Sequence, residues 1–214
     1  MQSDCWYNIA LTFIPTIGPI TRRALLEEFI LSKNIFSASK KDLLQVKGIG
    51  EKIVNEILQW NNPSQVDAEY AFIQKHQITP LFITDANYPQ KLLECPDAPT
   101  LLYYKGTANL NASKILSIVG TRMPTQYGHY IIEDCLKNMP KDVLIVSGLA
   151  LGIDTIAHQT ALVNGLNTVG VLAHGLDEIY PPPNKILAKQ MLQHGGLLTE
   201  INSKPIPEKN NFPK

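Results

Sequence analysis

The chain has 214 residues, 44% hydrophobic and 18% charged, a balance that excludes a disordered or fibrous protein and fits one domain or two small ones. Its 19 basic and 19 acidic residues cancel and are interspersed, which counts against a broad basic face and points to a local patch for any polyanion site. Three scattered cysteines without a Cys-x-x-Cys pair disfavour a disulfide framework or zinc site, and no apolar run approaches the ~20 residues of a membrane span, so a cytoplasmic protein with no metal, cofactor or membrane contact is expected.

Apolar residues recur at helical spacing from Cys5 to Phe13, Ala24 to Ile30 and Ile53 to Trp60, and nothing among them alternates like a strand. Residues 1–62 are therefore expected to form an all-helical domain. Two turns interrupt it in parallel fashion: Ile14-Pro15-Thr16-Ile17-Gly18-Pro19 before a helix with Arg22 and Arg23, and Val46-Lys47-Gly48-Ile49-Gly50-Glu51-Lys52 before a helix running to Trp60. The second closely resembles a helix-hairpin-helix motif and the first does so loosely, with Thr16 in place of the leading glycine. Glycines that admit positive φ let amides at the next helix start face a phosphate, and Lys47 and Lys52 add charge beside Gly48 and Gly50. The competing reading is a tight corner between helices whose glycines serve geometry alone. In the first copy Pro15 and Pro19 remove amide donors, so contact with DNA is expected chiefly from the second.

Pro63-Ser64 reads as a linker ending in a helix cap, followed by an amphipathic helix to about Gln74. Residues 80–84 and 100–104 then read as strands at a sheet edge, with Tyr88, Tyr103 and Tyr104 as packing residues.

From Lys114 short β-branched runs alternate with helical stretches: strands over 115–119, 143–146, 168–172 and 197–200, helices near 127–139, 155–164 and 185–193. This βαβαβαβ order implies a parallel, doubly covered, Rossmann-like sheet with right-handed crossovers. Its strands end in Gly120-Thr121-Arg122, in Ser147-Gly148-Leu149-Ala150-Leu151-Gly152, in Ala173-His174-Gly175 and in Glu200-Ile201, and the carboxyl ends of such strands converge on one rim. Gly120 and Gly148 admit backbone amides to an anion there, and Arg122 offers a planar fork for phosphate oxygens. Neither turn reads as a dinucleotide fingerprint or a P-loop. Asp154 and His158 lie four apart on one helix face. Two ligands do not make a metal site, so Asp154 is expected as a helix N-cap and His158 as a polar group tied to neighbouring turns.

Several phrases occur in a telling order: Tyr88-Pro89 with Leu92; Leu102-Tyr103-Tyr104-Lys105-Gly106; Ile118-Val119-Gly120-Thr121-Arg122; Tyr127-Gly128; Ser147 to Asp154 with Ala157-His158; Gly175 to Pro181; Asn184; Gly195-Gly196; Thr199-Glu200; Asn211-Phe212-Pro213. Over about residues 80–214 they resemble the DNA-processing protein A family, DprA or Smf. The resemblance implies an α/β fold, an extended Rossmann-like parallel sheet preceded by a small all-helical (helix-hairpin-helix, SAM-like) domain, divided as 1–62 and 63–214, the latter comprising a leading helix and edge strands (63–112) and a core (113–214). It implies a non-catalytic binder of single-stranded DNA that protects incoming strands in natural transformation and loads a RecA-type recombinase, homodimeric at full length. By the resemblance Arg122 holds a phosphate and Phe212 stacks on a base. With the rim residues of the pattern, the expected pocket is Gly120, Thr121, Arg122, Gly148, Leu149, Ala150, Gly152, His174, Tyr180, Asn184, Phe212 and Lys214.

Two departures qualify the likeness. Leu151 stands where many members carry Lys or Arg, and the sequence stops at Lys214 where the family continues, so a fragment of a longer protein is expected. Two other readings compete: a nucleotide N-glycoside hydrolase on a similar sheet, with Glu200 and Asp154 as acid and base, and a nucleotide sensor. The hydrolase would carry a Gly-Gly-Gly-x-Gly-Thr turn that this chain lacks.

Overall fold

The computed structural model describes residues 3–203, which fall into two compact units: one of the residues up to Asp85 plus Gln90–Leu101, the other of Ala86–Pro89 plus the residues from Leu102 on. Among the described residues no helix is long and apolar enough to cross a membrane.

The first unit is helical, with α1 (Asp4–Thr12), α2 (Pro19–Phe29), α3 (Ser32–Ser37), α4 (Lys40–Gln45), α5 (Glu51–Gln59) and α6 (Pro63–Lys75), then β1 (Thr79–Phe82). Its core is a continuous apolar cluster that includes Leu11, Ile17, Leu25, Ile35, Leu43, Val54 and Ile57. Helices α3 and α4 are additions to the sequence reading. α4 starts in a reciprocal capping box, Ser39 Oγ accepting from the Asp42 amide and the Asp42 carboxylate from the Ser39 amide, which satisfies two donors that a helix start leaves open. At α6 the cap differs from expectation. Asn62 holds that place and Pro63 is the first helical residue, where its missing N–H costs nothing. α6 packs against α1, and the Trp6 indole donates to Asp67 at 2.7 Å. The segment expected to lead the α/β part from residue 63 thus lies with the helices up to Asp85.

The second unit holds β2 (Leu101–Gly106) from Leu102 on, β3 (Lys114–Ser117), α7 (Gln126–Lys137), β4 (Val143–Ser147), α8 (Ile153–Val163), β5 (Thr168–Leu172), α9 (Lys185–Met191) and β6 (Gly195–Thr199). Its strands lie in the order β2-β6-β5-β4-β3; β3 to β6 are parallel, and β2 is antiparallel to β6. Leu136, Val143, Ile145, Ala161 and Leu166 pack together, as do Leu172, Leu187, Met191 and Leu197. The expected double covering is not what these residues form. Each parallel strand adds on the same side of its predecessor, so right-handed crossovers place α7, α8 and α9 in one layer. α7 packs on α8 and α8 on α9 accordingly.

Candidate nucleic-acid interface

After β3 the chain makes one more ladder bond, Ile118 N–H to the Val146 oxygen at 2.9 Å, and then leaves the sheet through Val119 to Met123, all exposed. After the neighbouring β4 it runs through Gly148 to Gly152 and enters α8. The two turns are in backbone contact. Gly152, at φ +87°, is the N-cap of α8, and a Cβ there would lie 2.3 Å from the Thr121 oxygen and 2.7 Å from the Arg122 Cα. The Ile153 amide donates to the Thr121 oxygen at 3.1 Å, and Thr121 Oγ1 accepts from the Met123 amide at 3.1 Å. Arg122 is thereby presented on an exposed turn clamped to the start of a helix.

Behind this surface lies a set of polar side chains. Ser147 Oγ donates to the Ile118 oxygen at 2.6 Å, joining the ends of β3 and β4. Asp154 is the second residue of α8 rather than its N-cap, and its carboxylate turns back toward the Ala150 amide at 3.4 Å. Burial pushes its pKa up, while the neighbouring Ser147 hydroxyl, the Ala150 amide and the positive charge of Arg122 pull it down. A Cβ at Gly148 would stand 2.5 Å from Asp154 Oδ2, so a larger residue there would push that carboxylate aside.

His158 is fully buried, and burial holds its pKa down to about 4, so the ring is neutral at pH 7. A carbonyl only accepts, so Nε2 carries the proton and donates to the Gly148 oxygen. Nδ1 then accepts from the Thr168 hydroxyl at 2.7 Å. Asn184 donates to the Leu149 oxygen at 2.8 Å and lies 2.9 Å from Thr155 Oγ1, and Thr155 donates to the Ala150 oxygen at 2.8 Å. The carbonyls of residues 148 to 150 are thus all held by side chains. In a trans peptide the N–H points away from its carbonyl, so the amides of Leu149 and Leu151 are aimed away from these braces.

The expected pocket residues therefore divide. Gly120, Thr121 and Arg122 form the exposed turn, with Gly148, Ala150 and Gly152 half-buried beside it. Leu149 is buried in the core with Leu172 and Leu187. His174 and Asn184 are each 3% exposed; His174 Nδ1 donates to the Gly175 oxygen at 2.8 Å and Nε2 lies 3.3 Å from the Tyr180 oxygen. These three side chains shape the rim from within rather than line it. Tyr180 is exposed. Phe212 and Lys214 lie outside the described residues. Sequence reasoning missed Ser147, Thr155 and Thr168 as braces, since hydroxyls on strand and helix interiors carry no spacing signal.

In the helical unit Lys47, Gly48 and Gly50 are exposed between α4 and α5 and Lys52 is exposed in the first turn of α5, while Ile49 is buried. Gly48 has φ +83° and Gly50 is the N-cap of α5. The first turn is different. Thr16 Oγ1 donates to Glu56, which sets a carboxylate against that turn where the second copy has lysines. Arg22 donates to the Ile17 oxygen and Arg23 pairs with Glu27.

Comparison with known proteins adds to this geometry. Residues 79–214 match the family model described as DNA recombination-mediator protein A, and residues 9–59 match a SAM-like helix-hairpin-helix tandem. The chain is 37% identical to the protein Smf of Synechocystis over 99% of its own length and 54% of the relative's, and 33% identical to the DNA processing protein DprA of Streptococcus pneumoniae over 82% and 67%. It spans about half the length of the Synechocystis relative. The X-ray structure of the S. pneumoniae DprA superposes with a TM-score of 0.76 at 27% identity, covering 96% of this chain and 71% of that one. The DNA processing protein A of Helicobacter pylori, a structure concerned with its single-stranded DNA binding mode, superposes with a TM-score of 0.56 at 31% identity over 63% and 60%.

Proposed function

Because the chain belongs to the DNA recombination-mediator protein A family, also called DprA or Smf, we propose that it binds single-stranded DNA through phosphates at the Gly120-Thr121-Arg122 turn. The observation that carries this reading is the clamp of that turn on Gly152 and Ile153, which holds an exposed arginine against the start of α8. The likeness to the H. pylori protein supports single strands as the ligand class. Lys47 and Lys52, at the second helical hairpin, supply further sequence-independent backbone contacts. In the longer protein we assign the site to the handling of incoming DNA in transformation, in the cytoplasm, with a RecA-type recombinase and a second copy of the chain as partners.

The family is one of recombination mediators rather than enzymes. The acid and base of the hydrolase alternative fit this poorly: Asp154 is engaged with Ser147 and the Ala150 amide, while Glu200 stands exposed after β6.

Titration of the chain with an oligothymidine and with the matching duplex at two salt concentrations tests the proposal. Affinity for the single strand should fall with salt, and Arg122→Ala should weaken it and flatten the slope by about one phosphate contact. Salt-insensitive binding, or normal binding by the alanine variant, would remove the assignment.

A further inference from the structure

Asp154 is a buried carboxyl group beside a turn read as a phosphate site. It stands in the first turn of α8, where its Oδ2 lies 3.4 Å from the Ala150 amide and is what a Cβ at Gly148 would meet. The charge of Arg122 reaches it across the contact between the two turns. Among the described residues neither Asp154 nor Arg122 belongs to an ion pair, so the arginine's field is the charge that favours an ionised Asp154.

A carboxylate held toward an amide at a helix start takes the part that a bound phosphate would otherwise play there. It opposes an incoming phosphate twice over, by drawing on Arg122 and by direct repulsion. A turn that needed only an acceptor for the Ala150 amide would be served by a neutral serine, threonine or asparagine.

The sign of the effect follows from the charges. A phosphate on Arg122 cancels the positive charge that favours the carboxylate and adds a negative one beside it, and both changes favour the protonated acid. Burial already acts in that direction, against the Ser147 hydroxyl, the Ala150 amide and Arg122. The groups facing Asp154 add no competing titration: Ser147, Gly148 and Ala150 on β4 and its turn are neutral, Arg122 keeps its charge, and His158, one turn along α8, stays neutral to about pH 4.

We propose that Asp154 competes with DNA for the Arg122 site and takes up a proton from solvent when the strand binds, so that pH sets the affinity through this side chain. The inference rests on the reading of the Arg122 turn as a phosphate site. It gives Asp154 a part in affinity that its place in the fold does not require.

Oligothymidine is the probe, since its phosphates and bases keep their charge across mildly acidic and neutral pH. At constant ionic strength its affinity should rise about fivefold from about pH 8 to about pH 5.5, an ordinary coupling between two ligands. Calorimetry in two buffers of different ionisation enthalpy should register uptake of up to about one proton per site filled. Asp154→Asn keeps the shape and the acceptor toward the Ala150 amide. It should bind more tightly at neutral pH, lose the uptake and flatten the pH profile, with melting at each pH confirming the fold. Asp154→Ser, a shorter neutral acceptor, should give the same readout and serves if the asparagine variant does not fold. Arg122→Ala should weaken binding at every pH. Binding by the unmodified chain without proton uptake would overturn the inference while leaving the phosphate site standing, as would undiminished uptake in the neutral variants. Failure to bind the strand at all would overturn the underlying reading and this inference with it.

Discussion

His158 on α8 and Gly148 in the turn after β4 are joined by a hydrogen bond from the ring Nε2–H to the glycine oxygen. Thr168 on β5 fixes the other ring nitrogen at 2.7 Å, so one neutral imidazole ties a helix to two adjacent strands immediately beneath the rim. The bond depends on a single tautomer, and a second proton on the ring would place a positive charge on a fully buried imidazole, which burial disfavours.

Stability should accordingly fall in mild acid. The unfolded chain takes up a proton on His158 near its ordinary pKa of 6.5, whereas the folded chain resists until about pH 4. Between those values the unfolded state binds more protons, so folding loses about 1.4 kcal/mol per pH unit and about 3 kcal/mol in all. The loss is absent above pH 7 and complete below about 4. Urea unfolding across this window should show the slope, and His158→Gln should remove its histidine component. An unchanged slope in the variant would show that other groups carry it.

Asn184→Ala should destabilise the α/β unit by about 2 kcal/mol in chemical denaturation, because it leaves the buried Leu149 oxygen without its donor and removes a partner of Thr155. The effect on DNA affinity should exceed that of an exposed substitution of similar size, since the turn bearing Leu151 loses its support. A variant with wild-type stability would mean that the Asn184 amide is dispensable to the turn.

Tyr104 is buried, and its hydroxyl lies 3.0 Å from the oxygens of both Ala108 and Gly195. Burial pushes its pKa up to about 12, the hydrogen bond to Ala108 opposing this. In a spectrophotometric alkaline titration Tyr104→Phe should delete a late-ionising component and leave the earlier ones. The same change should cost about 1 kcal/mol of stability, the net worth of a neutral hydrogen bond. Loss of an early component instead would place the Tyr104 hydroxyl in contact with water.

Much of this architecture is written in local pattern. The β-branched runs at 115–119, 143–146 and 168–172 match β3, β4 and β5 because strands buried on a parallel sheet must be apolar over most of their length. The four-residue spacing of Asp154 and His158 marks the face that braces Gly148. Other features have no local sign. The single layer of α7, α8 and α9 follows from strand order, which depends on contacts between distant segments. The stripe of Val66 and Ile73 shows that α6 is amphipathic without naming α1 as what it packs against. α3 and α4 each have six residues, too few to establish a period, although Ser39 and Asp42 carried a capping signal that was there to be read. Asn184 reads as a polar loop residue in sequence, and only the closeness of Leu149 and Ala150 makes it a buried brace.

Two glycines at positive φ differ in what surrounds them. Gly48 (φ +83°) has no atom within 4 Å of a would-be Cβ, so Gly48→Ala should cost only the left-handed penalty of about 1 kcal/mol. Gly152 (φ +87°, ψ −129°) lies in backbone that side chains rarely adopt and adds a collision: its added methyl would strike the Thr121 oxygen and the Arg122 backbone, atoms that cannot turn aside as a flexible side chain would. Relief requires moving the Arg122 turn away from the start of α8 and losing the bond from the Ile153 amide. Gly152→Ala should therefore cost about 3 kcal/mol or more and lower single-strand affinity even where the protein stays folded. Parallel denaturation and DNA titration of the two variants measure the difference. Equal stability losses, with DNA affinity intact in Gly152→Ala, would mean that the two turns of the rim are not clamped to each other in solution.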